Sequence, residues 1–124
     1  MVMKNEIVAI LGASNKPDRY AYKAFKMLQE YGHTVIPINP ALDSIESVPA
    51  VKSVNDINQK VTTLTIYMRP ERYMPFLQDI IKLKPNRVIF NPGTESDEAV
   101  AQLQNTGING VYGCTLVMLR TGQF

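Results

Sequence analysis

Five short apolar runs, separated by segments of helical periodicity, constrain this chain more than any other feature in it. Ile7 to Leu11, Thr34 to Ile38, Leu64 to Met68, Arg87 to Phe90 and Gly110 to Tyr112 are rich in Ile, Val and aromatic residues and lack polar alternation. That is the pattern of strands covered on both faces. Between them, Ala24, Phe25, Leu28 and Tyr31 recur at helical spacing, and Gly32 stands where a helix ends. Phe76, Leu77, Ile80 and Ile81 line one side of a second helix, with Pro75 suited to its first turn. A third carries Val100 and Leu103 and stops at Gly107, and Thr94 and Asp97 have the spacing of a capping box. The stretch from Ala41 to Lys60 is least regular, and reads as a loop, an extended piece around Val51 and a short helix near Asn55 to Gln59.

Strands and helices alternating at these lengths imply parallel strands joined by right-handed crossovers. A chain of 124 residues fits one domain, spanning 1–124. It buries about two-thirds of the surface that its unfolded form exposes. The expected fold class is therefore α/β: a three-layer, Rossmann-like sandwich around a five-stranded parallel sheet, with strand order 3-2-1-4-5.

A formal charge of +2 is too small for a broad nucleic-acid surface but leaves room for a local anion site. The single cysteine, Cys114, excludes an internal disulfide framework and a multi-cysteine metal cluster. With one histidine, His33, there is little material for a zinc site or a serine-type triad, and no metal is expected. His33 falls at the amino end of the second strand, away from the ligand side. Met1 to Glu6 lacks a signal-peptide layout, and no run approaches the roughly 20 apolar residues that cross a membrane. The expected address is the cytoplasm, with no membrane partner.

Ligands of such sheets sit outside the carboxyl ends of the strands, where strand order reverses. The first strand delivers Gly12, Ala13 and Ser14 there, and the second Asn39 and Pro40. Met68, Arg69 and Pro70 follow the third; Asn91, Pro92, Gly93 and Thr94 the fourth; Gly113, Cys114 and Thr115 the fifth. A strand, a glycine and a helix start make a phosphate cradle, because amides at a helix N-terminus are unpaired and carry partial positive charge. Lys16, Arg19 and Lys23 add cations around that entry. A dinucleotide fingerprint would place glycine at Gly12, Ser14 and Pro17 and an acid after strand two, where Asn39 and Pro40 stand instead. Redox use of NAD is disfavoured, and the absence of G-x-x-x-x-G-K-[ST] disfavours an NTPase.

Val8-Ala9-Ile10-Leu11-Gly12-Ala13-Ser14, Val35-Ile36-Pro37-Ile38-Asn39-Pro40, Arg69-Pro70-Glu71, Asn91-Pro92-Gly93-Thr94-Glu95-Ser96 and Cys114-Thr115, taken in order, resemble the small stand-alone CoA-binding proteins. These are similar to the nucleotide-binding domain of succinyl-CoA ligase α subunits and of ADP-forming acetyl-CoA ligases. The resemblance implies coenzyme A held across the carboxyl end of the sheet. Gly12, Ala13 and Ser14 would contact its diphosphate or phosphopantetheine side. Asn39-Pro40 would flank its path, and Met68-Arg69 and Pro92-Gly93 would line the remainder. Lys16, Arg19 and Lys23 are candidates for the 3′-phosphate by charge and position alone. The ligases' catalytic histidine lies in a further domain for which this chain has no room, so ligase activity is not implied.

Two further positions join the candidate set. Tyr22, with Tyr20, lies near the cradle and either packs its helix or covers a ligand. Cys114 reads first as a small buried hydrophobe, and second as a thiol placed to form a mixed disulfide with CoA or to sense acylation. The expected function is binding of CoA or acyl-CoA without catalysis, leaving a homo-oligomer or a protein partner open. The alternatives are a small NAD(P)- or nucleotide-dependent enzyme and an interaction module for a larger acyl-CoA ligase.

Overall fold

The computed structural model describes residues 5–124. The leader reading rests partly on Met1 to Lys4, which lie outside the described residues. Strands β1 (Ile7–Leu11), β2 (Thr34–Ile38), β5 (Thr63–Ile66), β6 (Arg87–Phe90) and β7 (Asn109–Tyr112) form one parallel sheet in the order β2-β1-β5-β6-β7. Helix α1 (Tyr20–Glu30) links β1 to β2. Between β2 and β5 run a two-stranded hairpin, β3 (Ser44–Ile45) with β4 (Val48–Pro49), and a 3-10 turn at Val54–Asp56. Helices α2 (Pro70–Tyr73) and α3 (Leu77–Leu83) precede β6, α4 (Asp97–Asn105) precedes β7, and α5 (Thr115–Arg120) follows it.

The α/β class and the five parallel strands are those expected. So are the three layers, because apolar side chains leave the sheet in both directions. Ala9 and Leu11 of β1 join Tyr73, Leu77, Ile80, Ala99 and Leu103 on the side of α2, α3 and α4. Val8 and Ile10 join Ala21, Phe25, Leu28 and Leu119 on the side of α1 and α5. The strand order differs in one respect. Counted along the chain the strands run 2-1-3-4-5, because β5 pairs with β1 and not with β2.

Proline explains the difference. Pro37 turns its carbonyl away from β1, where Val51 N–H donates to it at 2.9 Å, and its ring nitrogen has no hydrogen to offer on that side. An interior strand would lose a ladder bond there, so β2 is confined to the edge, guarded by the single bridge from Ile38 to Val51.

Other element ends are also corrected. The N-cap of α4 is Ser96, whose Oγ accepts from Ala99 N–H at 3.1 Å, and not Thr94 with Asp97. Thr94 is buried, and its hydroxyl donates to the Asn91 carbonyl. The capping box lies instead at Ser53 and Asp56, on a turn shorter than the helix expected at Asn55 to Gln59. Helix begins at Pro70, and a 3-10 turn at Met74–Phe76 interrupts it because Pro75 lacks the N–H that would continue the ladder. Phe76 is therefore exposed, while Leu77 and Ile80 are buried.

At the amino end of the sheet, His33 Nδ1 accepts from Glu6 N–H at 3.0 Å. Burial holds the His33 pKa below its usual value, and Arg87 adds to that against the opposing pull of Glu6. A proton on Nδ1 would also break the bond to Glu6. The unfolded chain therefore binds this proton more readily, so its contribution to stability is full above about pH 6.5 and is lost as pH falls through the folded-state value. Thermal unfolding followed by circular dichroism should show Tm level above about pH 7 and declining toward pH 5.5, with a shallower decline for His33→Gln.

Candidate functional site

At the carboxyl edge the chain leaves β1 through Gly12, whose φ is +88°. Leu11 carbonyl accepts from Tyr67 N–H at 2.8 Å on the β5 side, and Ala13 N–H donates to Ile38 carbonyl at 3.2 Å on the β2 side. A Cβ at position 12 would sit 3.2 Å from the Tyr67 carbonyl group. Glycine is needed for that close backbone crossing and for the left-handed conformation.

The loop from Gly12 to Arg19 is held from two sides. Asn39 Nδ2 donates to Ala13 carbonyl at 2.8 Å, while its Oδ1 accepts from Ala41 N–H at 2.7 Å. Ser14 Oγ accepts from Lys16 N–H at 3.1 Å. The Asn39 amide is thus committed at both ends and positions the loop. Arg19 is the N-cap of α1, its side chain makes no capping bond, and no acid occupies the first turn. Arg19 N–H donates to Lys16 carbonyl at 3.0 Å and Tyr22 N–H to Arg19 carbonyl at 3.1 Å, which leaves the amides of Tyr20 and Ala21 without an intrahelical partner.

These elements enclose a cavity of about 650 Å³. Of the residues singled out from sequence, Gly12, Ala13, Ser14, Lys16, Arg19, Asn39, Pro40, Met68 and Pro92 line it. Five others do not. Tyr22 stacks near Phe25 and donates its hydroxyl to Glu46, which pushes its pKa up. Lys23 carries its ammonium 5.3 Å from the Tyr20 ring centroid. Arg69 is exposed at the N-cap of α2. Gly93 is exposed with its N–H on Glu95, 2.9 Å away. Cys114 is the half-buried N-cap of α5, beyond β7, and is not among the lining residues.

Tyr20 and Thr94, also named from sequence, line it as well, whereas Leu42, Tyr67 and Arg72 are lining residues that the sequence reading did not single out. Arg72 was missed because its helix was expected to begin five residues later, although Pro70 directly after a strand was an available start signal. The Tyr67 hydroxyl is buried without a partner, and that burial raises its pKa. Thr115 lies near enough to moderate the shift, but its own hydroxyl is engaged by Thr65 at 2.8 Å.

Beneath the cavity floor, Asn91 ties three elements together. Its Nδ2 donates to Thr65 Oγ1 at 2.6 Å and to Ile66 carbonyl at 2.8 Å, and its Oδ1 accepts from Thr115 N–H at 2.9 Å. Tyr73 hydroxyl then donates to Thr94 carbonyl at 2.6 Å. This network fixes where Pro92 and Thr94 stand. Among the described residues, no group of three or more His, Cys, Asp or Glu could hold a metal, and no helix is long and apolar enough to cross a membrane.

Residues 6–120 match the family model for a CoA binding domain, and the chain belongs to that family. It is 24% identical over 107 residues to the uncharacterized protein YneT of Bacillus subtilis, covering 86% of this chain and 79% of that one. Over 68 residues it is 38% identical to the alpha subunit of acetate–CoA ligase [ADP-forming] II of Pyrococcus furiosus. That match takes in 54% of this chain but only 15% of the subunit. A solved structure titled as an uncharacterized protein superimposes with a TM-score of 0.92 at 38% identity, covering 98% of this chain and 99% of that one.

Two substitutions test the frame of the site. Gly12→Ala should lower unfolding free energy by about 1–3 kcal/mol, through strain at positive φ and the contact with Tyr67. Asn91→Ala should cost about 2–4 kcal/mol by leaving buried partners unsatisfied. Urea unfolding of both variants measures these losses.

Proposed function

We propose that the chain binds coenzyme A or an acyl-CoA in this cavity, in the cytoplasm, without catalysis of its own. The observation that carries the reading is the meeting of an uncapped helix end, Lys16 and Arg19 at the one place where strand order reverses, in a member of a CoA-binding family. Helix-end amides and the Gly12–Ser14 loop would take the diphosphate. Lys16 and Arg19 would take the 3′-phosphate as charge-assisted donors. Ile38, Pro40 and Leu42 offer an apolar wall for adenine on the β2 side, and Met68 and Pro92 line the way for pantetheine. No carboxylate, imidazole or thiol among the described residues lines the cavity, which supports binding over acid–base or covalent chemistry.

Calorimetric titration with CoA, dephospho-CoA and NADP is the test. CoA should bind more tightly than either of the others. The double variant Lys16→Gln/Arg19→Gln should bind CoA about ten- to a hundredfold more weakly and lose most of its preference over dephospho-CoA. Equal affinity for NADP and CoA would favour a nucleotide-dependent enzyme. Failure of every CoA species to bind would leave a protein-interaction module.

A further inference from the structure

We propose that two copies of this chain associate through the open edge of β7, pairing their Asn109–Tyr112 strands antiparallel about a two-fold axis at Val111. This surface lies away from the cavity and is independent of the CoA reading. The two edges of the sheet are unlike. β2 is guarded by Pro37 and by the bridge from Ile38 to Val51. β7 pairs only with β6 among the described residues, and Asn109–Tyr112 contain no proline, lysine or arginine, the usual guards of an open edge. Asn109 N–H donates to Asn86 carbonyl at 3.2 Å, and Gly113 N–H to Phe90 carbonyl at 3.1 Å. Alternation along the strand then turns the N–H and C=O groups of Gly110 and Tyr112 outward, away from β6.

A second copy suits this edge in backbone, shape and charge. With Val111 opposite Val111 on the axis, Gly110 of each copy faces Tyr112 of the other, and all the outward groups find partners. A Cβ at Gly110 would touch Val100 and Phe90, and the Tyr112 ring packs edge-on to Phe90, so both residues look toward the α4 face. Gly110 leaves a groove of about 210 Å³ there, bordered by Val100, Ala101 and Gln104 of α4. Tyr112 is 46% exposed, and its hydroxyl bond to Asp97 holds the ring ready. One strand thus carries both a slot and a ring, and an aromatic laid across glycine is a stabilising cross-strand pair. Helix α4 has Asp97 and Glu98 at its start, Gln104 and Asn105 at its end, and no lysine or arginine. The two-fold turns each acidic start toward the amide-bearing end of the partner helix, where unlike ends of the two macrodipoles approach. A foreign strand would satisfy the hydrogen bonds without meeting the groove and the charges together. A strip of 4 residues is smaller than a standard interface, so the dimer is weak, with a Kd of about 1–100 µM.

Sedimentation velocity on the intact chain, from about 1 to about 500 µM, should show a reversible monomer–dimer equilibrium in that range. Tyr112→Lys, which places a guard on the edge and removes the ring, should raise the Kd at least tenfold while the circular dichroism spectrum stays that of the parent. Amide exchange of the parent supplies a readout that needs no variant. Protection at Gly110 and Tyr112 should rise about threefold between about 20 and about 500 µM, with no change at β2. A single monomeric species across the whole range would overturn the proposal. So would a dimer that Tyr112→Lys leaves intact, or one whose added protection falls outside β7, because the contact would then lie on another face.

Discussion

The cleft depends on how the backbone leaves β1. Within three residues, Leu11 is bonded to Tyr67 beyond β5, Gly12 turns at positive φ, and Ala13 is bonded to Ile38 at the end of β2. β1 is therefore gripped from both neighbours at the point where their following segments part, toward α2 on one side and the β3–β4 hairpin on the other. A crevice opens there because chains leaving adjacent strands in opposite directions cannot fill the space between them. Asn39 fixes its width by bonding the loop after β1 and the segment after β2 with one amide.

The two ends of the sheet treat polar groups differently. At the amino end, Thr63 hydroxyl donates to Glu6 at 2.7 Å and accepts from Arg87 Nε at 2.9 Å, and Phe124 covers the Arg87 guanidinium at 4.5 Å. Polar groups there mostly answer one another, which suits a closed end. At the carboxyl end the buried layer around Asn91 is likewise satisfied, but the layer above it is not. Lys16, Arg19 and Arg72 face the cavity without an acidic partner among the described residues. A rigid, satisfied floor under uncommitted cations is an arrangement suited to holding an anion in one place.

The hairpin shows how the β2-side wall is kept in position. Its turn uses Glu46 at φ 48° and Ser47 at φ 72°, a left-handed pair that glycine or asparagine would adopt more easily. Burial of Ile45 and the clasp of Glu46 by Lys26, at 2.7 Å, and by Tyr22 offset that strain. Tyr22, singled out for a ligand, thus supports the wall from behind.

Periodicity in the amino-acid order determined the five strands, the helices carrying Phe25 and Leu103, and the α/β class, because burial on two faces and burial on one leave different local patterns. The row of strand-end residues was legible for the same reason. The hairpin at Ser44 to Pro49 was not, since its turn has no Asn-Gly or Asp-Gly signal and is held only by contacts distant in sequence. Helix α5 was passed over although Leu116 and Leu119 share a face and Gly122 follows, because six residues give periodicity little room. Strand order was partly written in Pro37, whose missing N–H costs a ladder bond only where a neighbouring strand lies on that side. What tertiary structure alone decided is which cations share a cavity: Arg19 and Arg72 are brought together, while Lys23 and Arg69 turn elsewhere. Side-chain direction depends on where each helix begins and what it packs against, and short-range sequence does not carry that information.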